Sequence, residues 1–294
     1  MIDSVLDKTI YFSFDRTGFE RHSKKFTKIS SESFTGKRFL VTGGTSGIGE
    51  SIVKTLKEYG AEVVFTGRRE IQETGFTKLD LIDHDHAYSF IKNGPTYDGV
   101  ILNAGGMPEE YGESCGFETQ FSSQVLGHYI ICRAMLEQKK IKPNGHFVWM
   151  SSGGMYMVKY QEKLIKNAKD SYDKVNFYAN AKRAQIIIND HLHQQYCAQG
   201  FNFSVMHPGW VDTSGVRTAI PGFFNFTKNR LRTPAQGADT AIWLLSQTKN
   251  PSGEFWFDRK TQKKVIFPWT HNSNEEKMNL IKLCESHYQM ICQN

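Results

Sequence analysis

The stretch TGGTSGIG, Thr42–Gly49, constrains this chain more than any other feature. It follows an apolar run, Arg38–Thr42, that reads as a buried strand, and it opens an amphipathic stretch, Ile48–Tyr59. In that stretch Ile48, Ile52, Val53, Leu56 and Tyr59 recur at helical spacing and Gly60 supplies a stop. Glycines between a strand and a helix let the backbone pass close to a pyrophosphate, with free N–H groups and the positive end of the helix aimed at the anion. A tight turn that binds nothing would look the same in isolation. Its place after the first core strand is what favours the phosphate reading.

The rest of the chain alternates strand and helix. Apolar runs mark strands at Glu62–Thr66, Thr77–Leu79, Val100–Asn103, His146–Met150, Asn202–Met206 and Glu254–Phe257. Runs such as EVVF, GVIL and FSVM have no polar face, as expected of strands covered on both sides. Helices are expected at Phe117–Gln138, Val175–Gln199 and Pro234–Gln247, and another over Asn274–Ile291, packed on the domain or on a partner. Arg69–Lys78 is too short for a crossover helix. The fold expected is α/β: a single doubly wound domain with a mostly seven-stranded parallel sheet and right-handed crossovers. Its boundaries are set at residues 37–270, after an irregular N-terminal extension (1–36) and before a C-terminal helical tail (271–294).

Composition closes off other classes. Thirty-six Lys+Arg against 30 Asp+Glu give +6, and the stretch Lys139–Lys182 alone carries nine lysines. Those lysines are scattered singly, which is a solvated face and not a nucleic-acid patch. No uncharged apolar run is long enough to span a bilayer, although Phe12, Phe14 and Phe19 leave peripheral membrane contact open against solvated disorder. Five cysteines with no C-x-x-C pair point to a reducing compartment, the cytoplasm. Neither Asp83–His86 nor His191–His193 has the spacing of a metal site, so none is expected.

Two further features carry chemistry. The second strand ends FTGRRE, which places Arg68 where an NAD site would hold a carboxylate for the ribose 2′-hydroxyl; a guanidinium there suits a 2′-phosphate. NADP(H) is therefore expected ahead of NAD(H). The fifth strand ends at Ser151 and Ser152, and YANAK later puts Tyr178 and Lys182 on one helix face. An ammonium close to a phenol stabilises the phenolate and brings it towards acid–base work. A serine hydroxyl beside it can hold a substrate oxygen as charge develops. Tyr88 and Lys92 share the spacing but precede the fourth strand, away from the crevice.

Together these segments resemble the short-chain dehydrogenase/reductase superfamily: TGGTSGIG its cofactor loop, LNAGG (Leu102–Gly106) its fourth-strand element, Ser152 with YANAK its active site, and HPGWVDT its Pro-Gly-x-x-x-Thr segment. SSGGM, YANAKRAQ and LRTPAQGADTAIWL are similar to the subgroup near the retinol-dehydrogenase-like reductases. The resemblance implies a Rossmann fold and hydride transfer between a carbonyl and an alcohol. Tyr178 would act as acid/base, Lys182 would tune it and bind the nicotinamide ribose, and Ser152 would hold the substrate. It further implies a cofactor site of Gly43, Thr45, Ser46, Gly47, Ile48, Gly49, Arg68, Asp80, Leu81, Asn103, Ala104, Gly105, Pro208, Gly209, Val211 and Thr213, shared with Tyr178 and Lys182. Val216–Arg232, with Phe223, Phe224 and Phe226, would be the substrate loop for an apolar small molecule, or else packing against the C-terminal helix. The long Val175–Gln199 helix is where this superfamily forms homo-oligomers.

Two departures stand out. Gln124 occupies the family's catalytic Asn position, with a carbonyl displaced by about 1.5 Å. Tyr178 follows Ser152 by 26 positions, about twice the family spacing, so Met155–Phe177 is expected as a loop at the rim. Gln124 also keeps open a different class, a dinucleotide-binding regulatory or scaffold protein with weak or no catalysis.

Overall fold

The computed structural model describes residues 10–247 and 252–293; Asp3, Asp7 and the rest of the first nine residues of the expected extension lie outside the described residues. Its centre is one sheet built from β1 (Arg38–Val41), β2 (Glu62–Gly67), β3 (Phe76–Lys78), β4 (Tyr97–Leu102), β5 (Ile141–Met150), β6 (Asn202–Met206), β7 (Glu254–Phe257) and β8 (Lys260–Gln262). The order is β8-β7-β6-β5-β4-β1-β2-β3. Seven strands are parallel, in register Leu40 with Val64 and with Val100, Val148 with Ile101 and with Ser204. The chain starts in the middle at β1, runs out to β3, and returns to β4 on the other side of β1. The order thus reverses between β1 and β4, and the crevice outside the carboxyl ends of the strands at such a reversal is where sheets of this kind bind ligands.

The unbroken apolar runs follow from the pleat. Successive residues point to opposite faces, and both faces are covered. Leu40, Val100, Phe147, Trp149 and Val205 meet one helical layer; Phe39, Val41, Ile101, Val148 and Met206 meet the other. The first layer comprises α3 (His84–Asn93), α4 (His128–Glu137) and α5 (Lys174–Tyr196), and the second α2 (Gly47–Glu58) and α6 (Pro234–Ser246). The C-terminal helix α7 (Asn274–Gln293) settles on its own chain beside α3, α4 and α5. It buries Leu280, Cys284, Tyr288 and Ile291, and its Glu285 accepts from Tyr129 at 2.6 Å and from Arg133 at 3.1 Å.

Three local expectations are corrected. The helix expected over Phe117–Gln138 is broken: Phe117–Glu118 pairs with Glu113–Ser114, a π-helical turn occupies Ser122–Gly127, and only His128–Glu137 is regular. The buried Glu118 carboxylate caps the start of this stretch, accepting from the amides of Gln120 at 2.9 Å and Phe121 at 3.0 Å. An eighth strand, β8, runs antiparallel to β7 through a two-residue turn in which Asp258 (φ 48°) and Arg259 (φ 58°) are both left-handed, the type I′ hairpin geometry. The N-terminal segment is also more ordered than its irregular composition suggests. Ile10–Ser13 and α1 (Arg16–Ser23) are helical, Asp15 caps α1 through Gly18 N–H at 2.9 Å, and Phe14 and Asp15 are buried.

His146 on β5 gives the fold a proton-linked component. Its Nδ1 faces the Leu244 carbonyl at 3.0 Å, which can only accept, so Nε2 at 2.9 Å accepts from the Ser204 hydroxyl. Burial holds its pKa down at about 4. Unfolded, the ring protonates near pH 6.5, so the unfolded chain binds a proton that the native state refuses. Stability from this group is complete above that value and falls as the pH drops towards 4, by about 1.4 kcal/mol per pH unit. Urea melts between pH 6 and 5 are expected to show that slope reduced by one proton in His146→Gln; an unchanged slope would refute it.

Candidate active site

The glycine-rich loop is shaped by close backbone contacts. A Cβ on Gly49 would lie 2.1 Å from the Gly43 carbonyl oxygen and 2.5 Å from Asn103 Nδ2; one on Gly43, at φ 66°, would lie 2.8 Å from Ala104 Cα. Only glycine permits that approach. The loop is tied to the end of β4 from the other side. Asn103 Nδ2 donates to the carbonyls of Thr42 and Gly43, each at 3.0 Å, while Thr42 Oγ1 accepts from the amides of Asn103 at 2.9 Å and Ala104 at 3.0 Å. Ser46 stands at the N-cap of α2 with no side-chain cap bond, and Thr45 and Ser46 are exposed. A Cβ on Gly47 would touch Thr213 Cγ2 at 3.3 Å, so the Pro-Gly segment closes on the loop. Arg68 lies exposed at the end of β2, and among the described residues it has no ion-pair partner. This cradle fits a dinucleotide: its walls are backbone, Gly44 N–H fixes it to the Thr66 carbonyl at 2.9 Å from the side of β2, and side chains added at Gly43 or Gly49 would not fit.

Several residues expected around the cofactor have partners of their own within the fold. Leu81 is buried against Gly127, and Val211 is buried beneath α6, where its Cγ2 lies 2.6 Å from a Cβ position on Gly237 beside Ile48. Asp80 turns its carboxylate to the Ile82 amide at 3.3 Å. Pro208 and Gly209 are fastened from behind by Arg232, whose Nη1 donates to the Pro208 carbonyl at 3.4 Å and whose Nε would sit 2.3 Å from a Cβ on Gly209.

At the carboxyl end of β5 the two serines separate. Ser151 is buried and donates to the Lys182 carbonyl at 3.0 Å, pinning α5 to the strand. Ser152, half-buried, faces Tyr178. Burial pushes the Tyr178 phenol up to about 12, and its hydrogen bond with Ser152 works in the opposite direction. Lys182 Nζ lies 5.2 Å from the centre of the Tyr178 ring and donates to the Met150 carbonyl at 2.8 Å; burial lowers its pKa to about 7. Desolvation outweighs the Ser152 hydrogen bond, so the phenol lies above its ordinary value and not below it as the sequence led one to expect.

Gln124 projects from the π-helical turn. Its Nε2 donates to the Gly106 carbonyl at 2.8 Å, and its buried Oε1, with no hydrogen-bond partner, would stand 2.7 Å from a Cβ on Gly105. Its main-chain carbonyl accepts from Gln185 Nε2 at 2.9 Å and faces His128 Nδ1 at 3.1 Å. Since a carbonyl only accepts, His128 carries its proton on Nδ1 and its Nε2 accepts from Thr42 Oγ1 at 2.9 Å. The floor of the site is therefore one chain of bonds, Asn103–Thr42–His128–Gln124–Gln185. His128 and Gln185 went unnoticed in the sequence, although each lies one turn beyond a candidate, Gln124 and Lys182. Tyr88 and Lys92 lie on α3, where the Tyr88 hydroxyl accepts from Gln138 Nε2 at 3.3 Å. Among the described residues no group of His, Cys, Asp and Glu could hold a metal ion.

Fold and site together define an oxidoreductase of the short-chain dehydrogenase/reductase family, and the chain belongs to that family. A family model described as the NAD dependent epimerase/dehydratase family matches residues 39–225. Dehydrogenase/reductase SDR family member 12 from Bos taurus is 32% identical over 92% of this chain and 93% of its own length. Among solved structures, an uncharacterized protein from Mycobacterium Paratuberculosis superposes with a TM-score of 0.70 at 20% identity, covering 90% of this chain and 98% of that one. A short chain dehydrogenase family protein from Francisella tularensis gives a TM-score of 0.59 at 19% identity, covering 74% and 95%.

Proposed function

We propose that the chain is an NADP(H)-dependent oxidoreductase that interconverts a carbonyl and an alcohol, with Tyr178 as acid/base. The observation that carries this reading is the convergence of Ser152, Tyr178 and Lys182 at the carboxyl end of β5, in a fold whose first strand leads into the backbone cradle Gly43–Gly49. The cofactor would lie along Gly43–Gly49, Asn103–Gly105 and Pro208–Thr213. Bound there, it supplies the hydride. Ser152 orients the substrate oxygen, Tyr178 delivers or removes the proton on it, and the Lys182 ammonium offsets the charge left on the phenol. Trp210 and Phe223, with ring centres 5.1 Å apart, and the exposed Phe226 border the loop over this site and suit an apolar substrate. Five free cysteines agree with a reducing compartment such as the cytoplasm.

Arg68 supports NADP over NAD because its guanidinium is uncommitted and can fork onto a 2′-phosphate. Arg68→Ala is expected to raise the Kd for NADPH by about tenfold or more and to leave NADH binding unchanged. Equal effects on both, by calorimetric titration, would show that the arginine does not read the 2′ position. The scaffold reading draws on Gln124, whose amide is held by Gly106 and whose main-chain carbonyl is taken up by His128 and Gln185. Tight NADPH binding with no oxidation across a panel of carbonyl compounds would favour it.

A further inference from the structure

The N-terminal segment and the substrate loop meet in a pattern that ordinary surface packing does not require. The excursion Ser214–Leu231 leaves from Trp210–Asp212 and returns at Arg230–Arg232. These two stems are zipped together, Arg232 N–H to the Trp210 carbonyl at 2.7 Å and Asp212 N–H to the Arg232 carbonyl at 2.9 Å. The N-terminal segment bonds to both stems through its main chain: Trp210 N–H donates to the Phe14 carbonyl and Arg16 N–H to the Arg230 carbonyl, each at 2.8 Å. Side chains repeat the tie. Arg230 Nε donates to the fully buried Asp15 carboxylate at 2.6 Å, and its guanidinium covers the rings of Tyr11 and Phe12 at 4.8 and 4.9 Å. Tyr11 in turn meets Trp210 at 5.9 Å and Phe226 at 6.0 Å. Of the loop aromatics, Phe226 thus meets the N-terminal segment through Tyr11, Phe223 packs on Trp210 at 5.1 Å, and Phe224 lies under the Arg217 guanidinium at 5.5 Å.

The same segment reaches the catalytic serine. Phe14 packs edge-on against His207, ring centres 4.4 Å apart, and His207 stacks on Phe257 at 5.1 Å. His207 Nδ1 accepts from the Gly153 amide at 3.0 Å, and a Cβ on Gly153 would lie 2.7 Å from Phe14 Cε2. Phe14 and His207 thus hold the turn that begins at Ser152 from behind.

We propose that the segment from Tyr11 to Ser23 is a strut of the active site: it clamps both stems of the substrate loop, so that the loop stands closed over the site, and through His207 it fixes the turn carrying Ser152. Phe14 and Asp15 are positioning residues in this device. The proposal rests on the oxidoreductase reading only for its kinetic consequence; its structural content stands alone.

Hydrogen exchange on the full chain separates the two. Asp15→Asn keeps the helix cap and removes the charge that Arg230 meets; Phe14→Leu keeps apolar bulk and removes the ring edge. Each is expected to speed amide exchange in residues 213–229 by about tenfold while leaving β1 and β4 as protected as in the parent. With NADPH and any carbonyl compound the parent reduces, KM for the carbonyl rises several-fold, Kd for NADPH holds, and Phe14→Tyr restores KM. Unchanged exchange in 213–229 would overturn the strut, and so would equal loosening of β1 and β4, which is general destabilisation. Should the parent reduce no carbonyl, the oxidoreductase reading fails while the exchange result still decides the strut.

Discussion

Tyr178→Phe is expected to lower kcat for carbonyl reduction by about 10²- to 10⁴-fold, the range for removal of a positioned acid. Kd for NADPH should stay within about twofold, because the substitution keeps the ring on which the Lys182 ammonium sits at 5.2 Å. Only the hydroxyl is lost, and with it the bond to Ser152 and the proton for the nascent alkoxide. The pH dependence gives a second check. With its pKa pushed up to about 12, the phenol of the free protein is protonated throughout the neutral range, so the acid form needed for reduction is fully present at pH 7. The reverse reaction needs the phenolate, so alcohol oxidation should accelerate as pH rises, and the Tyr178→Phe variant should lack that rise. Stopped-flow measurement of NADPH oxidation and of its formation from the alcohol tests both; full activity in the variant would end the assignment of Tyr178.

The parts of this molecule that were legible in the sequence are those set by neighbouring residues. TGGTSGIG announces itself because a close backbone approach excludes side chains at Gly43 and Gly49. The strands announce themselves because FLV, VVF and VIL feed both faces of a covered sheet. What escaped depends on partners distant in the chain. The break in the helix expected over Phe117–Gln138 leaves no proline or glycine signal at Ser122. The type I′ turn at Asp258–Arg259 carries no Asn-Gly or Asp-Gly pair, and its left-handed residues are held by Asp258 bonds to Arg232, 26 residues away, and to His22, 236 residues away. Ser152 stands out from Ser151 only by the family resemblance; the bond that takes Ser151 away, to the Lys182 carbonyl 31 residues on, is not legible in the sequence. The N-terminal segment reads as irregular because its order comes from the Pro-Gly segment and the loop return, both some two hundred residues on.

Arg232→Met should cost about 3–5 kcal/mol and lower Tm by roughly 10 °C. The side chain is 1% exposed and forms a bidentate pair with Asp258, Nη1 to Oδ1 at 2.6 Å and Nη2 to Oδ2 at 2.8 Å. Its remaining donors satisfy the carbonyls of Ser13, Phe14 and Asp15 at 3.0, 2.9 and 3.1 Å. Desolvation alone would raise the buried Asp258 carboxyl; hydrogen bonds from His22 and Arg232 hold it below its ordinary value instead. Methionine fills the space but leaves a buried carboxylate without its main countercharge, and the cost of that stranded charge exceeds the net worth of the pair. Adding Asp258→Asn removes the stranded charge, and Asn tolerates the left-handed backbone at φ 48°. The double variant should therefore be more stable than Arg232→Met alone, though below the parent because the main-chain carbonyls of Ser13, Phe14, Asp15 and Pro208 each lose a donor, Phe14 and Asp15 keeping only the amides of Trp210 and Phe19. Thermal melts of parent, both singles and the double complete the cycle. If the double is no more stable than Arg232→Met, the stranded carboxylate is not the source of the loss, and the guanidinium acts chiefly through the carbonyls that join the N-terminal segment to the loop.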